Sequence, residues 1–580
     1  MASAFQAIAV DYDGTLAESP RPDRDVLDAI AEVRLRGRVV VLVTGRILSE
    51  LRADFPDIHR WFDAVVAENG GVLADAEGVR DLAEPVPAEL GQVLAHREIP
   101  VRQGRVLLAC DAEHAGAVLD EVERLELDCQ VVRNRAALMI LPGGVTKGTG
   151  LAHALGNLGI SRHSAIAVGD AENDHHLLAV CELGVAVANA VDALKQRADL
   201  VLDDRNGTAV AKLLRGPLID GTEAHPPRTY QLTLGDDDRG NPVRIPASQI
   251  NVLLTGGSCS GKSYLAGLLV EQLVQLDYSV LVVDLEGDHQ GLAERRGILG
   301  VGGTDPLPTP EHLAALLRHR FGSVVLDLSH HGPDRQQHYL RSIAPGVLAQ
   351  RAVTGLPHWI FFDEAHTLPD GFNLWAEALG TGDTGFCYVT YQPATLPAEL
   401  RDTADLLVLS AGEGTEAEEA RRFVAQAGGV DDDRLARALG TGQGRAVLVH
   451  HPSARAPVAQ PPVAFAVQAR RSGHIRHWHK YIGGELPESL RFYFQPAGDD
   501  RGRVAPNLRE FHRHLAGCPA AVVDAHARRH DFSRWIGEVL QDTELADTVA
   551  RAERRLRTDE QPAEAVRDVI QLAIEGRYLE

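Results

Sequence analysis

Short apolar runs that stop abruptly at an aspartate, a threonine or a glycine recur along this chain. Ala7 to Val10 stops at Asp11, Val39 to Val43 at Thr44, and Ala165 to Val168 at Gly169 and Asp170. Helical apolar periodicity fills the intervals, and this alternation is the rhythm of a parallel sheet covered by helices. The same rhythm returns further on, in Asn251 to Thr255, Ser279 to Asp284, Ser323 to Asp327, Trp359 to Asp363, Phe386 to Thr390, Leu406 to Leu409 and Arg445 to Val449. An α/β fold class follows, and the repetition predicts more than one such sheet.

A chain of 580 residues exceeds what one core can organise. Two stretches read as connections: Arg215 to Thr229, with Gly216-Pro217 and Pro226-Pro227, and Pro452 to Val463, with four prolines. They divide the chain into residues 1–213, 228–452 and 464–580, the last expected to be mostly helical because it ends in amphipathic patterns rich in Arg and Glu. A formal charge of -23 argues against a surface that binds polyanions everywhere. No apolar stretch is long enough to cross a bilayer, no leader pattern opens the chain, and six cysteines form no C-x-x-C pair. A cytoplasmic location without membrane contact is the expectation.

The first strand leads into Asp11-Tyr12-Asp13-Gly14-Thr15-Leu16, so two carboxylates leave a sheet edge two residues apart. A carboxylate can attack phosphorus if a cation offsets the repulsion between the anions. This hexapeptide, with Thr44-Gly45-Arg46, Lys147 and Gly169-Asp170-Ala171-Glu172-Asn173-Asp174, resembles in order the motifs of haloacid dehalogenase (HAD) phosphatases. Glu68-Asn69-Gly70-Gly71 is similar to the Cof-type branch, alongside phosphoglycolate and sugar-phosphate phosphatases. The resemblance covers roughly residues 4–212 and implies a Rossmann-like core with an α/β cap inserted at about residues 76–142. It implies Asp11 as nucleophile and Asp13 as general acid and base. It further implies Mg2+ on Asp11, Asp170 and the Asp13 carbonyl, and Thr44 and Lys147 on the phosphoryl oxygens. Asp174 would orient metal-bound water or Lys147. Asn173 and Arg46 are candidate substrate contacts or loop-bonding residues in equal measure. The expected substrate is a small phosphorylated metabolite.

In the second block the strand at Ile250 to Thr255 runs into Gly256, Gly257, Ser258, Cys259, Ser260, Gly261, Lys262 and Ser263, and then into an apolar-periodic helix. This is a P-loop in its required context. Glycines let backbone N–H groups curl around phosphates, Lys262 reaches the terminal phosphates of ATP, and the Ser263 hydroxyl is a Mg2+ ligand. Asp363 and Glu364 close a later strand and suit a magnesium-associated carboxylate and a water activator, while Gln392 closes the next and could sense the γ-phosphate. With Asp284-Leu-Glu286-Gly-Asp288, these features resemble the HerA/FtsK class of RecA-like ATPases over roughly residues 228–452. That class implies a homo-oligomer, a hexameric ring in many members, with an arginine completing the neighbour's site. Arg401 and Arg422 are the candidates. HerA proteins usually carry a β-barrel before the P-loop, whereas here only a hairpin around Arg239-Gly240-Asn241 is expected.

The third block opens on Arg470-Arg471-Ser-Gly-His474-Ile-Arg476-His477-Trp478-His479-Lys480, suited either to nucleic acid or to docking on the ATPase. Three whole-chain readings stand: a phosphatase coupled to a HerA-like ATPase, a nucleic-acid motor or end-processing protein, and a scaffold switched by ATP.

Overall fold

The computed structural model describes residues 5–134, 137–258, 260–319, 322–367, 375, 383–440, 444–451, 461–471, 486, 488–494, 503–540, 542–557 and 562–576. Cys259, most of the proline-rich stretch and His474 to Lys480 lie outside them. Among the described residues no helix is long and apolar enough to cross a membrane.

The N-terminal sheet begins with β1 (Ala7–Asp11), β2 (Val39–Val43) and β3 (Ala64–Ala67), followed by β4 (Val72–Asp75) and β5 (Gly78–Asp81). A second, four-stranded antiparallel sheet interrupts it: β6 (Arg102–Gln103), β7 (Leu108–Asp111), β8 (Cys129–Asn134) and β9 (Ala137–Pro142), in the order β6-β7-β9-β8. The first sheet then resumes with β10 (Ala165–Gly169), β11 (Leu183–Ala186) and β12 (Leu200–Val201). Its order is β12-β11-β10-β1-β2-β3-β4-β5. The three strands bearing Asp170, Asp11 and Thr44 are therefore neighbours, all parallel. β5 pairs with β4 at the edge of this sheet, so the inserted cap begins beyond Asp81, later than the chain position expected for it.

The central sheet has eleven strands. In chain order they are β13 (Gln231–Asp236), β14 (Pro242–Pro246), β15 (Val252–Thr255), β16 (Val280–Asp284), β17 (Ile298–Gly302), β18 (Ser323–Asp327), β19 (Trp359–Phe362), β20 (Phe386–Thr390), β21 (Leu406–Ser410), β22 (Arg445–His450) and β23 (Val463–Val467). Their spatial order is β14-β13-β23-β22-β21-β15-β20-β19-β16-β18-β17. β20 is inserted between β15, which feeds the glycine loop, and β19, which ends before Asp363. The expected hairpin exists as β13 and β14, and it joins the sheet through β23. The unit therefore runs past the prolines rather than stopping at them: β23 pairs with β22, and Arg470 and Arg471 bond Glu271 on the helix Lys262–Gln275. The described part of the third block is a helical cluster over Leu508–Ile574 elements, packed around Phe492, Phe511, Phe532 and Trp535.

Both sheets meet at the N-terminal ends of their strands. Ser161, Arg162 and His163 precede β10, Glu182 precedes β11, and Leu276, Asp277 and Tyr278 precede β16. The His163 ring stacks on Tyr278 at 3.7 Å between centroids. Its Nδ1 lies 2.7 Å from Glu182 and its Nε2 2.8 Å from the Leu276 carbonyl. Tyr278 donates its hydroxyl hydrogen to Glu182 at 2.8 Å, and Arg162 pairs with Asp277 at 2.9 Å. His358, just before β19, meets the Ser161 hydroxyl at 3.0 Å and accepts the Ser279 N–H at 2.8 Å. Removal from water, then the nearby charge of His163 and Arg351, pushes the His358 pKa well below 6.5. Its folded pKa is lower than its unfolded one, so the unfolded chain binds the extra proton and stability falls as the pH drops below 6.5. Thermal unfolding at about pH 5.5 against about pH 7.5 should show this loss, up to about 1.4 kcal/mol per pH unit, and His358→Gln should lessen it. An equal acid loss in that variant would remove His358 as its cause.

Candidate functional site

Where β1 ends, the chain needs a sharp turn, and Gly14 supplies it at φ 85°, a conformation L side chains avoid. The turn leaves Asp11 pointing into a buried cluster. Lys147 Nζ lies 2.6 Å from Asp11 Oδ1 and 2.6 Å from Asp174 Oδ1. Thr15 donates its hydroxyl to Asp170 at 2.9 Å. Asp11, Asp170 and Asp174 present oxygens within 4.8 Å of one another, all buried. Three carboxylates against one ammonium leave the cluster short of positive charge. Burial pushes the Asp11 pKa well above 3.8, and the neighbouring Asp174 carboxylate adds to it. For Lys147 burial opposes the charge, but Asp11 and Asp174 outweigh it and the net shift is upward.

This donor set fits a divalent cation, since hard oxygen ligands and uncompensated negative charge are what such an ion requires. Asp174 has its own hydrogen bonds: Oδ2 accepts the N–H groups of Asp170 and Ala171, both at 2.9 Å, while Oδ1 takes Lys147. Of the two alternatives for Asp174, the geometry brings it to Lys147. Asp11, Asp170 and Asp174 together are the group that could hold an ion.

Lys147 opens the helix Lys147–Asn157, whose N-cap Thr146 forms a capping box with Thr149. The positive helix end thus adds to the ammonium charge beside Asp11. Gly70 explains the Glu68-Asn69-Gly70-Gly71 stretch: a methyl group there would lie 1.9 Å from the Thr146 carbonyl oxygen. Glu68 is buried and accepts N–H bonds from Arg105, Val106 and Leu107, tying the cap to the core at its entry. The sequence marked this stretch by its resemblance, but nothing in it pointed to these cap amides as the partners of Glu68.

Thr44 is buried after β2, and its hydroxyl accepts the Arg46 N–H at 3.1 Å. Arg46 itself clasps Asp13, with Nη2 2.6 Å from Oδ1, while pairing with Asp54 and lying over the Tyr12 ring. Asn173 bonds Asn69 at 3.2 Å. Of these two uncertain residues, Arg46 reaches a proposed acid/base group and Asn173 a loop partner.

On the central sheet, Gly256 and Gly261 both have positive φ, 149° and 89°. Lys262 donates to the Gly257 carbonyl at 2.8 Å, across the loop. Ser258 gives its N–H and hydroxyl to Glu416, at 3.2 and 2.6 Å. Ser263 is buried at the start of the helix Lys262–Gln275. Asp363 meets His289 Nε2 at 2.8 Å, and Glu364 follows with φ 51° and His366 at 3.3 Å. Asp284 accepts N–H bonds from Glu286, Gly287, Asp288 and His289, and burial raises its pKa to about 6. Gln392 is exposed, its backbone N–H on the Thr390 hydroxyl. Arg422 is exposed and pairs with Glu418 of its own chain at 3.5 Å; Arg401 is partly buried. His289 went unnoticed in the sequence because a lone histidine after a strand carries no spacing signal.

A buried cluster of three carboxylates and a lysine at the strand ends of a Rossmann-like sheet, able to hold a metal ion and covered by a cap, is the kind of site found in phosphate-ester hydrolases. The family model described as haloacid dehalogenase-like hydrolase matches residues 104–214. The phosphoglycolate phosphatase of Methanothermobacter thermautotrophicus is 33% identical over 220 residues, covering 36% of this chain and 98% of that protein. The phosphoglycolate phosphatase of Methanopyrus kandleri is 33% identical over 227 residues, covering 36% and 95%. A solved haloacid dehalogenase-like hydrolase from Bacteroides thetaiotaomicron is 21% identical with a TM-score of 0.32, covering 36% of this chain and 98% of its own. The chain belongs to the haloacid dehalogenase-like hydrolases, and the matched part is a phosphatase of that family.

Replacing Lys147 by Met would leave Asp11 and Asp174 buried without their partner, a change of the kind that costs about 3–5 kcal/mol. The melting temperature should fall accordingly, and added Mg2+ should raise it by more in the variant than in the parent, because the charge deficit is larger. Equal Mg2+ shifts would mean that Lys147 and the ion do not share these carboxylates.

Proposed function

We propose that the N-terminal unit hydrolyses small phosphorylated metabolites, 2-phosphoglycolate foremost, through an aspartyl-phosphate on Asp11. The observation that carries this reading is the pairing of Lys147 with both Asp11 and Asp174 beside Asp170, at the mouth of β1. Mg2+ on Asp11, Asp170 and the Asp13 carbonyl would neutralise the approach of two anions. Asp11 forms the bond to phosphorus while the bond to the leaving oxygen breaks, and Asp13 gives that oxygen a proton. Asp13 then takes a proton from water, which attacks phosphorus and releases inorganic phosphate and free Asp11. Thr44 and Lys147 bind the equatorial oxygens, and Arg46 holds the Asp13 carboxylate in place meanwhile.

The reading of the central unit is that it binds and hydrolyses ATP with Mg2+ in the manner of HerA-like proteins. Supporting it are the left-handed glycines around Lys262, the carboxylates Asp363 and Glu364 two strands away, and the intervening β20 that ends near Gln392. Each site lies at the C-terminal end of its sheet, one strand length or about 15 Å from the junction at the N-terminal ends. Direct transfer of phosphate or substrate between them is therefore not part of the proposal. The motor reading has less support: His474 to Lys480 lie outside the described residues, and of the two arginines before them the Arg470 guanidinium is paired with Glu271.

Two measurements test the two halves separately. With Mg2+, Asp11→Asn should lose at least about a thousandfold in kcat on 2-phosphoglycolate while ATP turnover stays at the parental rate. Retained ester hydrolysis would refute Asp11 as nucleophile. Glu364→Gln should bind ATP but turn it over at least about a hundredfold more slowly; parental turnover would refute the assignment of Glu364.

A further inference from the structure

In an in-line displacement the leaving group departs on the side of phosphorus opposite the nucleophile. From Asp11 that direction points off the C-terminal end of β1, toward the cap that covers it. Strand register aligns one row across the cap sheet: Arg102 opposite Ala109, Ala109 opposite Met139, and Met139 opposite Val132. Side chains alternate across a strand, so this row shares one face. Leu108, Cys110, Leu138 and Ile140, the alternate set, pack with the cap's own helical side. Ala109, Met139 and Val132 instead pack with Ile47 of the core, and Arg102 reaches Glu50 of the core helix Leu48–Asp54 at 2.9 Å. The row therefore faces the core.

Met139 is the member of the row that lies against Gly45, next to Thr44. It is 4% exposed, and a methyl group on Gly45 would lie 3.2 Å from its sulfur and 3.8 Å from Asn173 Nδ2. Gly45 adjoins Thr44, so the thioether lies against the loop after β2 that flanks the nucleophile, and Asn173, next to Asp174, approaches the same glycine from the other loop. The β8 strand beside it also packs on the Glu172–Asp174 turn. A bulky leaving group would have to displace this side chain. Its neighbours in the row offer nothing to hydrogen-bond ring hydroxyls: Ala109 and Val132 are apolar, and Arg102 is tied to Glu50.

We propose that Met139 sets the size limit of the leaving group, admitting phosphomonoesters of short unbranched alcohols and excluding those of sugar rings. The inference rests on the phosphatase reading of the same site. Met is unbranched and adaptable, so trimming it opens space without redesigning the strand.

The test compares kcat/KM for 2-phosphoglycolate and glucose 6-phosphate, using the full chain with Mg2+. The parent should favour the short ester. Met139→Ala should raise the hexose-to-short ratio at least about tenfold, whereas Met139→Leu, which conserves volume, should leave it near the parental value. Met139→Val, which suits a strand, should shift the ratio in the same direction and keeps the test decisive if the alanine variant does not fold. A parental ratio in folded, active Met139→Ala or Met139→Val overturns the size limit alone. A parent that favours glucose 6-phosphate overturns it as well. A parent that hydrolyses neither ester overturns the phosphatase reading and the size limit with it.

Discussion

Lys147 lies between two buried carboxylates, Asp11 and Asp174, at 2.6 Å from each, and much of the N-terminal unit serves to keep it there. An ammonium so deeply placed is tolerable only if its partners are fixed, because desolvation opposes its charge. The capping box at Thr146 and Thr149 fixes the helix that carries it, and Gly70 lets the neighbouring turn press against that helix. Asp174 in turn holds the backbone of Asp170 and Ala171, so the loop that presents the third carboxylate depends on the same ion pair. The surplus of negative charge that remains is a property of the folded chain, and it is the physical reason that a divalent cation belongs in the account.

Much of this was legible because chemistry and topology coincide in parallel sheets. A residue that ends an apolar run sits at the C-terminal edge, so Asp11, Thr44 and Asp170 could be gathered from strand ends alone, and β10-β1-β2 adjacency does bring them together. The glycine loop before Lys262 was legible for the same reason. What stayed hidden depends on distant contacts. Glu68 was one residue of the stretch similar to the Cof-type branch, with no role assigned, yet its carboxylate grips three cap amides. Arg46 was ambiguous until its partner was visible, since nothing in Thr44-Gly45-Arg46 specifies Asp13. Prolines after residue 452 suggested a boundary, but β23 returns to the central sheet by pairing that is non-local in sequence. The start of the cap, expected at about residue 76, moves beyond Asp81 because β5 pairs with β4 in the core sheet.

The junction changes how the two halves can be related. His163, Glu182, Tyr278 and His358 form a polar, hydrogen-bonded contact between the N-terminal edges of two sheets, and none of them has a motif. Arg162 and His163 lie at the foot of the strand that ends in Asp170, and Leu276 follows the helix that begins at Lys262. The contact therefore joins the N-terminal ends of the strands, at the far end of each sheet from Asp11 and from the glycine loop. Further bonds add to this contact, Tyr230 to the Ala179 carbonyl and Ser248 to Glu182.

The central proposal is that the acidic cluster beside Lys147 binds one divalent cation through Asp11 and Asp170 while Asp174 keeps its bond to Lys147. Anomalous scattering from crystals soaked in Mn2+ tests it most directly. The account predicts a single peak at this site, about 2.1–2.2 Å from a carboxylate oxygen of both Asp11 and Asp170, with the bonds from Lys147 to Asp11 and Asp174 retained around it. A peak coordinated by Asp174 in place of Asp170, or no peak among these carboxylates at saturating Mn2+, would contradict it.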